Sequence, residues 1–333
     1  MSTLDQPPPN CPICGTPCTR PPKASYTAEQ AAAHWVPAIR DPERHDRLVR
    51  CIQRLWKQDT TEIFFCPSPG CGYGFGWPLV GGDEEFYEIM HAQAAYNAWR
   101  WEFDLTVERM HKRWPGGGRV LDIGAGDGPF LVQMGPKWQQ YAVESTEFMR
   151  KILEGKGVTV WRDLEAAARD AAGTFQVVAI FHTLHQICDF GPVLDAARKL
   201  LAPDGVLVVS HPDGDQMIRW QKATKYEDMP PGQIHKFNGR SIALALNRHG
   251  FKVDESIVQP PRWGRVQYTL YLRVRSDAAN RPRSLAAQAY RIRDRKKREW
   301  ALRLVGLLYS WKILPHLNVA RLSNNIVTYA HKA

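Results

Sequence analysis

The sequence predicts an α/β fold built on a doubly wound, mostly parallel sheet, and three observations predict it. Arg119-Val-Leu-Asp-Ile123 reads as a buried strand. Gly124, Gly126 and Gly128 follow at alternate positions, and Pro129-Phe130-Leu131 can open a helix. Phe175–Phe181 is apolar and β-branched enough to be covered on both faces, as the strands of parallel sheets are. Between Val120 and Val253 strand-like and helix-like segments alternate, the order that lays parallel strands side by side.

At 333 residues the chain has room for two or three structural units, and 44% apolar residues with 12 tryptophans allow a large core. There is no run of 18 apolar residues and no signal-peptide pattern, so a soluble cytoplasmic protein is expected. Seven cysteines without a secretory signal favour metal binding or buried thiols over a disulfide framework. The net charge of +10 is unevenly placed, with nine basic residues and two acids between Arg281 and Arg303.

Residues 1–80 read as an N-terminal zinc-binding lobe. After the stiff Pro7-Pro8-Pro9, Cys11-Pro-Ile-Cys14-Gly15 forms a knuckle whose sulfurs can converge on one tetrahedral ion. Cys66-Pro-Ser-Pro-Gly-Cys71-Gly72 supplies the second pair, and Cys18 and Cys51 are possible substitutes. A zinc held by four sulfurs has no open position and is therefore structural. The long gap between the pairs contains helices around Ala28–His34 and Pro42–Lys57. From Glu84 to Trp114 runs a helical, aromatic-rich segment with Tyr96, Trp99, Trp101 and Phe103, read mainly as packing against the sheet.

Residues 81–275 read as the core. The helix after the glycine turn runs to about Met134, and Tyr141–Glu144 is a second strand ending on an acid about twenty residues beyond the turn. An acid there can accept hydrogen bonds from both ribose hydroxyls of a nucleotide. A dinucleotide turn, G-x-G-x-x-G, would need its third glycine at 129, which is Pro129. Helix Phe148–Gly155 and strand Val158–Trp161 follow. Asp163 is suited to be a helix N-cap, which does not exclude a second role. Strand Phe175–Phe181 ends in His182-Thr-Leu-His185-Gln186. Then come a helix from Pro192, the turn Leu201-Ala-Pro203-Asp-Gly205, and strand Val206–Ser210 with His211 at its tip. Residues 213–235 read as a substrate-facing loop, followed by helix Ile242–His249 and Gly250-Phe251-Lys-Val253.

The pattern D-x-G-x-G-x-G over Asp122–Gly128 resembles the first motif of class I S-adenosylmethionine (SAM) methyltransferases. The strand-four tip, the Leu-x-Pro-x-Gly turn and the His235-to-Phe251 segment resemble later pieces of the same family in order. The cysteine lobe ahead of this core resembles a bacterial subset acting on sugars, polysaccharide precursors or secondary metabolites. The resemblance implies a Rossmann-like, seven-stranded sheet and methyl transfer from SAM. It places Asp122, Gly124, Ala125, Gly126, Glu144, Asp163 and Phe181 on the cofactor, and makes His182, His185 and His211 candidate proton acceptors. Family members often read His-x-Leu-Glu-His-Val at the strand-four tip. This chain keeps the first histidine and has His185-Gln186 in place of the Glu-His pair.

Residues 276–333 read as a basic helical segment and the last core strand. Ala286–Leu308 is taken as one long basic helix, with Trp311, Ile313 and Leu314 extending its apolar character. Either Gln267–Val274 or Ile326–Ala330 could close the sheet. The second is favoured, making 280–319 an insertion. The basic helix can be a solvated face, a contact for an anionic membrane or a lipid-linked substrate through 281–303, or, less favoured, a nucleic-acid contact. The expected acceptor is a small molecule, sugar or saccharide precursor. The rival readings are an RNA methyltransferase with a zinc lobe and, further off, a non-catalytic scaffold. No Asn/Asp-Pro-Pro-Tyr/Phe tetrad of amino-methylating nucleic-acid enzymes is present.

Overall fold

The computed structural model describes residues 9–91, 99–218, 229–261, 264–314 and 325–333. Of the sequence expectations, Pro7, Pro8, Tyr96 and the middle of the 213–235 loop lie outside these residues.

The N-terminal part is a small antiparallel sheet beside two helices. β1 (Ala24–Thr27) leads into α1 (Ala28–Trp35), whose first turn is closed by Thr27 and Gln30 capping each other's backbone N–H groups. α2 (Pro42–Trp56) starts where Asp41 accepts from the Arg44 N–H at 3.1 Å, with Pro42 pre-set for the first turn. β2 (Thr60–Phe65) and β3 (Gly74–Trp77) complete three strands. The predicted helical stretch from Glu84 to Trp114 appears as α3 (Glu84–His91) and α4 (Trp101–Arg113).

The core alternates as the sequence predicts. β4 (Gly118–Ile123), α5 (Pro129–Met134), β5 (Trp138–Val143), α6 (Glu147–Gly155), β6 (Thr159–Trp161), α7 (Leu164–Ala171), β7 (Phe175–Phe181), α8 (Gly191–Leu200) and β8 (Leu201–Pro212) follow in turn. After a two-residue strand, β9 (His235–Lys236), come α9 (Gly239–Arg248) and β10 (Phe251–Val258). A helical group then consists of α10 (Gly264–Asn280), α11 (Leu285–Arg291) and α12 (Arg295–Ile313), and β11 (Asn325–Lys332) ends the chain. The large sheet has seven strands in the order β10-β11-β8-β7-β4-β5-β6. β6, β5, β4, β7 and β8 are mutually parallel, while β11 is antiparallel to both neighbours. The strand order reverses between β4 and β7, so their carboxyl ends open onto the crevice where doubly wound sheets bind ligands. Val120, Leu121, Phe175, Val177 and Val178 are fully buried, and each such side chain contributes about 1.5–3 kcal/mol.

Two C-terminal expectations need correction, and one is met. Ile326–Ala330 does lie in the closing strand, whereas Gln267–Val274 belongs to α10, so the helices between β10 and β11 begin at Gly264 rather than near 280. The single helix Ala286–Leu308 is two helices. The chain leaves the helix at Ile292, and Asp294 restarts it by accepting from the Lys297 N–H at 2.8 Å, which is how a capping aspartate competes with helix continuation. These helices close on one another through Val274, Ala278, Ala286, Ala289, Leu302 and Val305. Among the described residues, no helix is long and apolar enough to cross a membrane.

The cysteine end and the sheet are not separate bodies of packing. β9, which lies between β8 and α9 in the chain, pairs with β3 through Gly74↔Lys236 and Phe75↔His235 and becomes the fourth strand of the small sheet. Cys11, Ile13, Cys66, Cys71, Tyr73 and Phe75 share one hydrophobic cluster with Leu121, Phe175 and Val178 of the large sheet.

Candidate functional site

At the end of β4, Gly124, Gly126 and Gly128 have φ of +78°, +57° and +78°, the left-handed region that side chains disfavour. The alternate glycines are therefore a backbone requirement. At Gly124 there is a second reason. A Cβ there would lie 2.5 Å from Thr183 Oγ1 and 2.6 Å from its Cγ2, so this glycine lets the β7 tip lie against the turn. Glu144 fixes the turn from the β5 side, its Oε2 accepting from the Gly126 N–H and its Oε1 from the Thr146 N–H, each at 3.0 Å.

The floor of the turn is acidic. Asp122 and Glu144 are both buried, and Asp122 Oδ1 and Asp127 Oδ1 have no hydrogen-bond partner. Burial, helped by Glu144 and opposed by Arg100, pushes the Asp122 carboxyl up to about 8. Buried oxygens without donors are costly unless a ligand satisfies them. A ligand with positive charge and hydroxyl or amino donors fits this floor, and a pyrophosphate would be repelled by it. Asp163 caps α7, accepting from the Ala166 N–H at 2.9 Å, and is exposed. Ala125 is buried within the turn. The ring of Phe181 packs edge-on against Phe103 and Phe130, 4.9 and 4.6 Å between centroids.

Across the crevice, His182 stands at the β7 tip with φ +51°, an uncommon conformation for a histidine, held by its N–H donating to Ser210 O at 3.0 Å. Its Nε2 lies 2.5 Å from Glu102 Oε1. Glu102, in the first turn of α4, is fully buried, and Arg100 reaches within 3.9 Å of the same oxygen. Burial alone would raise the Glu102 carboxyl, but His182 and Arg100 together hold it below its usual range. The sequence reading did not single out Glu102. The signal was its helical phase, since it shares a face with Phe103, Thr106 and Met110, and an acid on a buried face needs a cationic partner.

His185 and His211 differ in character. His185, on a one-turn helix (Leu184–Gln186), is buried with its ring 6.0 Å from that of His182, and burial first, then neighbouring histidines, press its pKa well below 6.5. His211 is fully buried, burial lowers it to about 4, and Nδ1 donates to Pro212 O at 2.9 Å. Its Nε2 has no hydrogen-bond partner. Burial thus disfavours the imidazolium form of both rings. Of the three histidines, only His182 touches a carboxylate that can stabilise an imidazolium.

The four predicted cysteines converge. The sulfurs of Cys11, Cys14, Cys66 and Cys71 all lie within 4.8 Å of one another, with Cys11–Cys71 at 3.8 Å and Cys14–Cys66 at 3.4 Å. A tetrahedral ion with bonds of about 2.3 Å separates its sulfurs by about 3.8 Å, so the set could hold one metal. Cys18 bonds Thr16 O and Cys51 sits on α2 near Asp83, so neither belongs to the four. Two residues beyond Cys71, the Tyr73 hydroxyl donates to His235 Nδ1, and His235 Nε2 donates to Ile187 O at 2.7 Å. Ile234 N–H adds a bond to His185 O at 3.1 Å. The cysteine end is thereby tied to the turn that carries His185.

Residues 94–256 match a protein family described as "Methyltransferase domain". No curated protein matches the chain. Among solved structures, a SAM-dependent methyltransferase from Archaeoglobus fulgidus is 17% identical, covering 75% of this chain and 100% of its own, at a TM-score of 0.43. Coclaurine N-methyltransferase bound to N-methylheliamine and SAH is 12% identical, with 72% and 74% covered and a TM-score of 0.42. The cyclopropane synthase MmaA2 from Mycobacterium tuberculosis is 16% identical, with 69% and 82% covered and a TM-score of 0.41. All three TM-scores describe loose likenesses, and nothing about this chain's own chemistry follows from them.

Proposed function

We propose that this chain, whose residues 94–256 match a family described as "Methyltransferase domain", is a SAM-dependent methyltransferase acting on a small-molecule, sugar or saccharide-precursor acceptor, with His182 and Glu102 as its proton-accepting pair. SAM, when bound, supplies an electrophilic methyl group on a cationic sulfur. Asp122, Asp127 and Glu144 provide the acidic, donor-poor floor that suits that cation and its amino and hydroxyl groups. The backbone of Gly124, Ala125 and Gly126 sets how closely the ligand can approach, and Asp163 retains an oxygen for the base end after capping α7. His182, whose Nε2 lies against Glu102, takes the acceptor's proton. The resulting imidazolium then lies against a buried carboxylate. The strain at His182 and the close Gly124–Thr183 approach keep this pair beside the turn, so positioning supplies much of the rate.

The observation that carries this reading is the Glu102–His182 contact at 2.5 Å, in which a fully buried acid meets a strand-tip histidine. A small-molecule or sugar acceptor is supported by the burial of Glu102, His185 and His211, since a recessed polar end admits one hydroxyl or amine more readily than a base stacked in a duplex. In the same reading Cys11, Cys14, Cys66 and Cys71 hold one structural zinc that fastens the lobe. The test is SAH release in the presence of panels of sugar nucleotides, phenols, amines and structured RNA. Turnover with a member of the small-molecule panels is the expected result, and turnover with RNA alone refutes the acceptor class.

A further inference from the structure

α12 is apolar on two opposite faces. Leu302, Val305 and the partly buried Tyr309 belong to the cluster that joins α12 to α10 and α11. The other face carries Trp300, Leu304, Leu307, Leu308 and Trp311, which are 66%, 44%, 67%, 57% and 70% exposed. At 3.6 residues per turn these five fall within an arc of about 100° and extend over roughly 17 Å of helix. Two tryptophans and three leucines in one continuous exposed stripe mark a surface that meets something apolar. The stripe is bordered on one side by the exposed Lys296 and Arg303 and at its amino-terminal end by the exposed Lys297. The one acid of the helix, Glu299, lies off the arc and is taken by Arg295 at 3.1 Å.

We infer that this face of α12 docks on an anionic membrane surface. The tryptophans and leucines would enter the boundary between headgroups and acyl chains, with Lys296, Lys297 and Arg303 on the lipid phosphates. Three observations favour this occupant. Leu304, Leu307 and Leu308 offer nothing to a phosphate or a base edge, so RNA would leave the stripe in water. A second copy of the chain, docking the same face to itself, would bring two sets of basic residues together. No described helix can span a bilayer, which leaves α12 lying in the plane of the interface.

The experiment is co-sedimentation of the full chain with phosphatidylcholine vesicles and with vesicles containing phosphatidylglycerol, at low and high salt. Binding to the anionic vesicles, weakened by salt, is expected. Trp300→Ser/Trp311→Ser should weaken it at least about tenfold while SAM binding stays as in the wild type, because neither residue belongs to the glycine-turn site. Lys296→Gln/Lys297→Gln/Arg303→Gln should cost about a hundredfold, at roughly a factor of five per basic side chain near the surface. The inference is overturned if the wild type ignores anionic vesicles, or if the double tryptophan variant binds them equally well. It is also overturned if the wild type is a dimer that the tryptophan substitutions convert to a monomer, or if RNA binds in a way those substitutions do not change.

Discussion

Raising the pH from 6 to 8 is expected to tighten SAM binding about fiftyfold, because Asp122 must give up a proton to receive a cation. Its carboxyl is pushed up to about 8 by burial and by Glu144. About one molecule in a hundred is therefore ionised at pH 6, one in eleven at pH 7 and half at pH 8. A ligand that binds the carboxylate form must work against that distribution, and at pH 7 the cost is about 1.4 kcal/mol, one factor of ten. Calorimetric titration at the three pH values gives the slope, and repeating it in buffers of different ionisation enthalpy detects the released proton. Asp122→Asn should bind SAM more weakly at pH 8 and lose the slope. The same group has the opposite effect on the empty protein. An acid whose folded pKa is raised holds its proton longer when folded, so stability falls as pH rises from about 4 to about 8. Asp122→Asn should accordingly melt higher than the wild type at pH 8, by an amount on the order of a few kcal/mol in stability. Affinity that is flat between pH 6 and 8, or a slope retained in Asp122→Asn, would refute the reasoning.

Three further outcomes are expected. Glu102→Gln should lower kcat about 10- to 150-fold, the worth of about 1.5–3 kcal/mol for a charge-assisted hydrogen bond, with SAM affinity held within about twofold; an unchanged kcat removes the pair from the chemistry. Gly124→Ala forces a side chain into φ +78° and against Thr183. It should cost at least about 1–2 kcal/mol, seen as a lower melting temperature together with weakened SAM binding, and an unchanged melting curve would contradict the strain argument. Cys66→Ser or treatment with a strong chelator should drop bound zinc below one per chain and lower the melting temperature, and zinc retained at one per chain would reassign the ligands.

Much of this site was legible before the structure because it depends on short, local patterns. Three alternate glycines required three left-handed residues, Glu144 fell at the end of the neighbouring strand, and the two knuckles carried their own turn residues. Pro42 marked a helix start by the same local chemistry, whereas the cap at Asn238 starts its helix at Gly239, three residues before the expected Ile242. What stayed hidden depends on distance in the chain. Glu102 meets His182 across 80 positions, and neither residue announces the other. The packing of the Phe181 ring on both Phe103 and Phe130 likewise joins residues from three separate elements. The break at Ile292–Asp294 was overlooked because basic and apolar residues continue through it in a helix-compatible pattern, and only the capping geometry shows the stop.

The two residues of β9 have a consequence for how the chain can be made and cut. β3 waits for a partner strand that is synthesised about 160 residues later. The small sheet is therefore incomplete until five of the seven strands of the large sheet have been made. A polypeptide beginning at the glycine turn would leave His235 without Tyr73 and Ile234 without the Gly76 N–H that donates to its carbonyl. The turn bearing His185 would lose the support on its outer side. The N-terminal segment is thus not a detachable module that could be grafted onto a related domain. Exchanging it would require exchanging residues 229–238 with it.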